Sequence, residues 1–221
     1  MVFVLFLLLM VHELGHILMG MYLKLQLQSL CVYPFGIFAS YENLDKYPSV
    51  YELYLAISGP CFQVMSFIVL NLLYQYNLLS LNQLDYYQML NVQMFLFNCL
   101  PIYPLDGGRV LRAISMHFFP FVKAMKFTYI VSFVVLIIFL FSVTFFWKYV
   151  FLLIFLGYLY QEYRNILDVR LQFYLYRYSF GCNFKKKCHK QQDLYKDFSN
   201  VVNGIHEKSW LASFFKGFNG E

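Results

Sequence analysis

Long apolar runs separated by short polar stretches fill the first 161 residues of the chain. Each of the first four runs has about the 20 residues that an α-helix needs to cross the hydrocarbon core of a bilayer, and the fifth is shorter. The predicted helices lie at about 1–23, 51–76, 87–117, 127–147 and 149–161. The pattern predicts an all-α polytopic membrane protein with about five transmembrane helices.

The last two apolar runs are almost continuous, since residues 127–160 contain a single charge, Lys148. As one helix they would extend for roughly 51 Å, far beyond the roughly 30 Å of the hydrocarbon core. We therefore expect a tight turn near Trp147 and Lys148.

Composition supports a membrane location. Hydrophobic residues make up 60% of the 221 positions and charged residues 13%, whereas an ordinary soluble domain has about 45–50% and about 25%. These values exclude a cytosolic enzyme, a nucleic-acid binder and a disordered chain. The five cysteines are odd in number and form no CxxC, so the sequence indicates neither a disulfide framework nor a thiolate zinc site.

Charge sets the expected orientation in the membrane. With the N-terminus outside, all of the 17 Lys and Arg residues except Lys148 fall on the cytoplasmic side, as the positive-inside rule requires. We therefore expect a multi-pass protein of the cell membrane whose C-terminus is cytoplasmic. Residues 162–221 form a basic cytoplasmic tail, expected to be a short helical extension followed by a loosely ordered region on anionic headgroups.

The first apolar run contains the most informative string of the chain, His12-Glu13-Leu14-Gly15-His16. On a helix, His12 and His16 lie about 40° apart, so both imidazoles can bind one metal ion while Glu13 reaches a metal-bound water as general base. Ionisable residues are costly inside a membrane helix and mark a functional site. The alternative is a polar cluster that stabilises helix packing.

A hydrolytic zinc site needs a third protein ligand and an open position for water. Asp106 is the candidate, because it lies in an apolar segment between two prolines and two glycines that cannot continue a regular helix. Broken backbone at membrane depth is tolerated where it is buried in protein or lines a watery cavity. Alternatively, Asp106 caps the helix that starts at Gly107. Asn98, in the same segment, either hydrogen-bonds the backbone of a substrate or packs between helices.

Together, these motifs resemble those of the site-2 proteases, the intramembrane zinc metalloproteases of family M50. The residues that carry the resemblance are His12, Glu13, His16, Asn98, Pro101, Pro104 and Asp106-Gly107-Gly108. The likeness extends to residues 33–36, 58–60 and 161–164 and covers roughly residues 1–180. It is strongest to members that process a membrane-associated pro-sigma factor during sporulation.

The resemblance implies a role for each matching residue. It implies one Zn²⁺ per chain held by His12, His16 and Asp106, with Glu13 as the catalytic glutamate and Asn98 lining the site. The reaction implied is hydrolysis of a peptide bond near the cytoplasmic face, and the likeness to the sporulation members implies that it activates a pro-sigma factor.

The resemblance also implies how a substrate is bound. The loop at 34–39 matches a re-entrant region that offers a strand edge to an unwound peptide. Pro34, Phe35 and Gly36 are therefore candidate substrate-binding residues. The implied partners are a membrane-associated protein substrate, inhibitory membrane proteins and the lipid bilayer, with no nucleic acid.

The chain departs from the sporulation members in two ways. It begins at the motif helix, where they have a preceding transmembrane helix, and its tail is too short for their CBS domain. Two other functions remain as alternatives, an inactive metal-binding scaffold and a metal transporter. An intact Glu13 argues against the scaffold, and the lack of paired repeats argues against the transporter.

Overall fold

The computed structural model describes residues 2–33, 36–41, 44, 47–142, 148–181, 186–190 and 193–218. These residues are mostly helical, which confirms the predicted all-α class, with two small sheets in addition. In chain order the elements are α1 (Val2–Tyr22), β1 (Leu27–Tyr33), β2 (Gly36–Tyr41), α2 (Ser49–Gln75), α3 (Leu81–Asn98), α4 (Asp106–Phe118), α5 (Phe121–Ser142), α6 (Lys148–Arg164), α7 (Ile166–Phe180), β3 (Lys186–His189), β4 (Ser199–Val202), β5 (Ile205–His206) and α8 (Glu207–Phe218).

Three of the described helices are long and apolar enough to cross a membrane. These spans are Val4–Tyr22 in α1, Ser49–Gln75 in α2 and Phe121–Phe139 in α5. Large apolar side chains along them are exposed, including Phe6, Ile68 and Ile130. Apolar surface on this scale is typical of helices that face lipid. The five-helix count therefore stays a prediction, and the turn expected near Trp147 falls partly on residues 143–147, outside the described part of the chain.

The predicted helix at 87–117 is wrong as a single element. The structure divides it into α3, which ends at Asn98, and α4, which begins at Asp106. Pro101 and Pro104 lack the N–H groups that a continuous helix needs, and the intervening chain forms short turns. Helix α3 also begins earlier than expected, because Ser80 and Gln83 form a reciprocal capping box at its N-terminus.

The described chain separates into two compact units. The first contains residues 1–44 and 50–110. In it, β1 and β2 form an antiparallel hairpin in which Tyr33 pairs with Gly36 and Leu27 pairs with Tyr41. The Tyr41 hydroxyl donates a hydrogen bond to the backbone oxygen of His16, 2.9 Å away, and its ring occupies the space that Gly20 leaves open. These contacts hold the end of the hairpin against α1.

The second unit contains residues 45–49 and 111–221, so the boundary predicted at 161 lies inside it. Its C-terminal part is more ordered than expected. Helices α7 and α8 accompany a three-stranded sheet, in which β3 and β4 are parallel and β4 and β5 antiparallel. Tyr174, Leu194, Val202 and Leu211 are fully or almost fully buried there. Apolar side chains in the tail therefore form a small core, which the basic composition of this segment did not predict.

Two carboxylates of the tail accept hydrogen bonds from the beginnings of two long helices. Asp193 accepts one from the backbone N–H of Val122 in α5, at 3.1 Å. Asp197 accepts hydrogen bonds from both the backbone N–H and the hydroxyl of Ser49, the first residue of α2. Because the first N–H groups of a helix have no partner within it, these carboxylates stabilise both helix ends.

Candidate metal centre

Helix α1 presents the two motif histidines on one face. His12 and His16 are one helical turn apart, and their side chains are buried, with exposed fractions of 3% and 5%. Their Nε2 atoms lie 3.2 Å apart, and the rings meet edge to face. The predicted i, i+4 pair therefore directs two imidazole nitrogens to the same point.

The break in the chain after α3 brings a carboxylate to that point. Asp106 is the first residue of α4, and its Oδ2 and Oδ1 atoms lie 2.9 Å from His12 Nε2 and 3.3 Å from His16 Nε2 respectively. Gly107 and Gly108 allow this approach, because a Cβ at either position would collide with the backbone of the turn, at Cys99 and Tyr103. The alternative interpretation of Asp106 as only a helix cap does not account for these contacts.

The chemistry of these groups fits a zinc ion. Nitrogen and carboxylate oxygen ligands at 2.0–2.2 Å from a tetrahedral ion lie roughly 3.3 Å from one another, close to the separations observed here. Asp106 is buried, and its Oδ2 faces the Nε2 atom of His12 without accepting a hydrogen bond from any of the described residues. A buried polar atom without a partner costs free energy, which coordination of a cation would recover. His12, His16 and Asp106 could therefore hold one metal ion.

Helix α2 forms one wall of the site. His16 Nδ1 lies 2.7 Å from the backbone oxygen of Leu55, and His12 Nδ1 lies 3.1 Å from Gln63 Oε1. The backbone of α2 passes close to both rings at Gly59, where a Cβ would collide with His16. The sequence does not predict the contacts of Leu55 and Gln63. The one available signal was an amide side chain, Gln63, in the middle of an apolar run.

The other predicted site residues have different positions. Glu13 follows the first histidine on α1 and is 8% exposed. Asn98 ends α3, and its Nδ2 lies 3.4 Å from His12 Nε2, at the edge of the metal group. Gly36 begins β2, whereas Pro34 and Phe35 lie outside the described residues. The structure therefore places the Asn98 side chain beside the candidate metal group, and Glu13 is buried next to His12 in the chain.

Similarity to known proteins agrees with this geometry. Residues 75–142 match the family model of peptidase family M50, and the matched region contains Asn98 and Asp106. Over 130 residues, the chain is 34% identical to a zinc metalloprotease of Methanocaldococcus jannaschii, a match that covers 56% of this chain and 38% of that protein. It is 27% identical over 120 residues to stage IV sporulation protein FB of Bacillus subtilis, covering 54% and 42% respectively. The chain thus spans less than half the length of these relatives.

A solved structure shares the fold. The site-2 protease from Methanocaldococcus jannaschii superimposes with a TM-score of 0.53 and 25% sequence identity, over 75% of this chain and 75% of that one. The similarity therefore extends well beyond the region that the family model matches.

Proposed function

We propose that this chain is a member of peptidase family M50 and an intramembrane zinc metalloendopeptidase, a proposal supported by its similarity to that family. Its substrate is a membrane-associated protein, cleaved near the cytoplasmic face. The observation that carries the proposal is the convergence of His12, His16 and Asp106 within 4.8 Å, with Glu13 next to the first of them. A purely structural metal site has no need of an adjacent general base.

Each residue has a distinct role in the proposed reaction. His12, His16 and Asp106 would hold the zinc ion. When bound, zinc would supply Lewis acidity for the hydrolysis of a peptide bond. The Glu13 carboxylate would act as the general base, taking up a proton and returning it to the leaving amine. The burial of Glu13 keeps its carboxylate out of bulk solvent.

Substrate binding is proposed to use the hairpin and Asn98. A peptide that has unwound from its helix would add to the hairpin formed by β1 and β2, through main-chain hydrogen bonds. Pro34, Phe35 and Gly36 would contact the substrate. The Asn98 amide, 3.4 Å from His12, is close enough to the metal group to hydrogen-bond the backbone beside the scissile bond.

The proposed biological role is activation of a pro-sigma factor during sporulation. Its support is the 27% identity to stage IV sporulation protein FB, together with the resemblance of the motifs. This role implies membrane partners that inhibit cleavage. It also agrees with the proposed orientation, with the N-terminus outside and the C-terminus in the cytoplasm, because a sigma factor is a cytoplasmic protein.

Co-expression of the chain with a tagged pro-sigma factor tests the proposal, with wild type compared with Glu13→Gln. Zinc content is measured on both purified proteins. Cleavage by wild type alone, with zinc bound to both, is the expected result. Zinc in both proteins without cleavage of any membrane-associated substrate would support an inactive scaffold instead. Absence of zinc from wild type would exclude the ligand assignment itself.

A further inference from the structure

A buried amide on α2 contacts the first metal-ligating histidine from the side opposite the metal group. We propose that Gln63 is a positioning residue that fixes the tautomer of His12, so that Nε2 carries the lone pair that zinc requires. This inference rests on the proposed function, because it assigns a role in zinc binding. Gln63 is fully buried, and its Oε1 lies 3.1 Å from His12 Nδ1. No metal or substrate is needed to explain this contact.

The orientation of the Gln63 amide follows from its second partner. Its Nε2 atom donates a hydrogen bond to the backbone oxygen of Asn91, at 2.9 Å. A backbone carbonyl can only accept, so the NH₂ group must face Asn91 and the oxygen must face His12. Because that oxygen can also only accept, His12 Nδ1 must carry the proton. A neutral imidazole has one ring proton, so Nε2 is then free to bind a metal.

A second amide holds the backbone of Gln63 in place. The Nδ2 atom of Asn91 donates to the backbone oxygen of Gln63 at 3.2 Å and to the hydroxyl of Ser66 at 2.7 Å. The Ser66 hydroxyl in turn donates to the same oxygen of Gln63, at 2.6 Å. All three side chains are buried. The Gln63 amide is thus fixed in a network between α2 and α3, and it cannot rotate without breaking hydrogen bonds in a low-dielectric interior.

The second histidine has the same tautomer, but a different kind of partner. His16 Nδ1 lies 2.7 Å from the backbone oxygen of Leu55, an obligate acceptor. A side-chain substitution leaves that carbonyl in place, whereas replacement of Gln63 removes the acceptor for His12. Groups that orient metal-bound histidines in this way contribute 10–100-fold to metal affinity in other sites. Gln63 therefore offers a specific test that Leu55 does not.

The test compares purified full-length wild type with Gln63→Met and Gln63→Glu. Methionine fills a similar volume and removes the acceptor, whereas glutamate keeps an oxygen facing Nδ1. Gln93→Met makes the same chemical change at an exposed position of α3 and is the matched control. Thermal unfolding establishes that each variant is folded. Zinc affinity is measured by chelator competition, and the tautomer of His12 by ¹⁵N chemical shifts of the metal-free protein.

We expect Gln63→Met to weaken zinc binding by about 10–100-fold and to lose the defined Nδ1–H tautomer. We expect Gln63→Glu to bind zinc within a few-fold of wild type, and Gln93→Met to match wild type in both measurements. Unchanged affinity and an unchanged tautomer in folded Gln63→Met would overturn the proposal. If wild type bound no zinc, the proposed function would fail, and the ¹⁵N measurement would still decide whether Gln63 sets the tautomer.

Discussion

Gly59 of α2 lies directly against the imidazole of His16. A Cβ at this position would collide with the His16 ring and would lie 2.8 Å from Cε1 of His12. An added Cβ would displace the imidazole rings, because a packed interior contains few voids into which they could move without disturbing other side chains. Gly59 therefore allows α2 to pass close to the imidazole rings of both His12 and His16.

We predict that Gly59→Ala weakens zinc binding by about 10–100-fold, the range for changes in groups that orient metal ligands. The added methyl group would displace the His16 ring from its position next to His12. Zinc content after dialysis and chelator competition would measure the effect. Gly157→Ala is the control, since a Cβ at Gly157 in α6 meets no neighbouring atom of the described residues within 4 Å. Equal zinc affinity in the two variants would contradict the prediction.

The pair of histidines is predictable from the sequence because its geometry is local. Residues four apart lie on one face of any helix, whatever the rest of the fold does. Asp106 is predictable as a candidate ligand because it is a carboxylate at the point where prolines and glycines between Pro101 and Gly108 interrupt an apolar segment. The contacts of Leu55 and Gln63 were not predictable, because they join residues 39 and 51 positions apart from their histidines. One of them also uses a backbone oxygen, which no residue type reveals.

The elements of the fold that depend on the local sequence are likewise predicted better than those that depend on contacts between distant residues. Apolar runs predict α1, α2 and α5 well, because membrane helices are selected by length and hydrophobicity. Beyond a short helical extension, the tail was expected to be loosely ordered, yet Leu194, Val202 and Leu211 are buried in it. Its strands and helices are short and gain stability only by packing together, as Tyr174 of α7 does against Trp210 and Phe214 of α8. The basic composition of the tail therefore does not indicate its core, which is built from contacts between residues distant in sequence.

Metal removal should lower the stability of the chain. Without a cation, two imidazole nitrogens and the Asp106 carboxylate remain close together in a buried site. A ligand that binds only the folded state stabilises it by about 2.7 kcal/mol at 100 times its Kd. We therefore predict that chelation lowers the thermal midpoint and that added Zn²⁺ restores it. His16→Ala should show no such dependence, and an identical response to zinc in this variant would exclude the site as its cause.

The tail contains a buried ion pair between α7 and α8. Arg177 Nη2 lies 2.9 Å from Glu207 Oε2, and the Arg177 and Glu207 side chains are 4% and 8% exposed. Glu207 also accepts a hydrogen bond from the backbone N–H of Asn200, at 2.8 Å. Removal of one partner leaves the other charge buried and uncompensated, which costs about 3–5 kcal/mol.

We predict that Glu207→Gln lowers the free energy of unfolding by up to about 3–5 kcal/mol. Limited proteolysis and thermal unfolding of the purified protein would measure the loss, and cleavage should begin in the tail. Lys208→Ala changes a charge at the neighbouring exposed position and should have an effect within about 0.5 kcal/mol. A Glu207→Gln variant as stable as Lys208→Ala would show that the pair contributes little.

Tyr174 links α7 to the segment that precedes β4. Its hydroxyl donates a hydrogen bond to Asp193 Oδ1, 2.6 Å away. Burial, and then the negative charge of Asp193, raise the pKa of Tyr174 above its ordinary value of 10.0. The folded chain therefore holds the phenolic proton more tightly than the unfolded chain does. The resulting stability is fully present below about pH 10 and is lost as the pH rises through the folded-state pKa.

We predict that wild type loses stability above about pH 10 and that Tyr174→Phe reduces this loss. At neutral pH the variant should be less stable by about 1.5–3 kcal/mol, because the hydrogen bond to a charged acceptor is removed. Thermal midpoints measured from neutral to alkaline pH would separate the two effects. Tyr178→Phe, at an exposed position of the same helix, should keep the alkaline loss of wild type. If both variants had the same alkaline profile, ionisation of Tyr174 would not be coupled to folding.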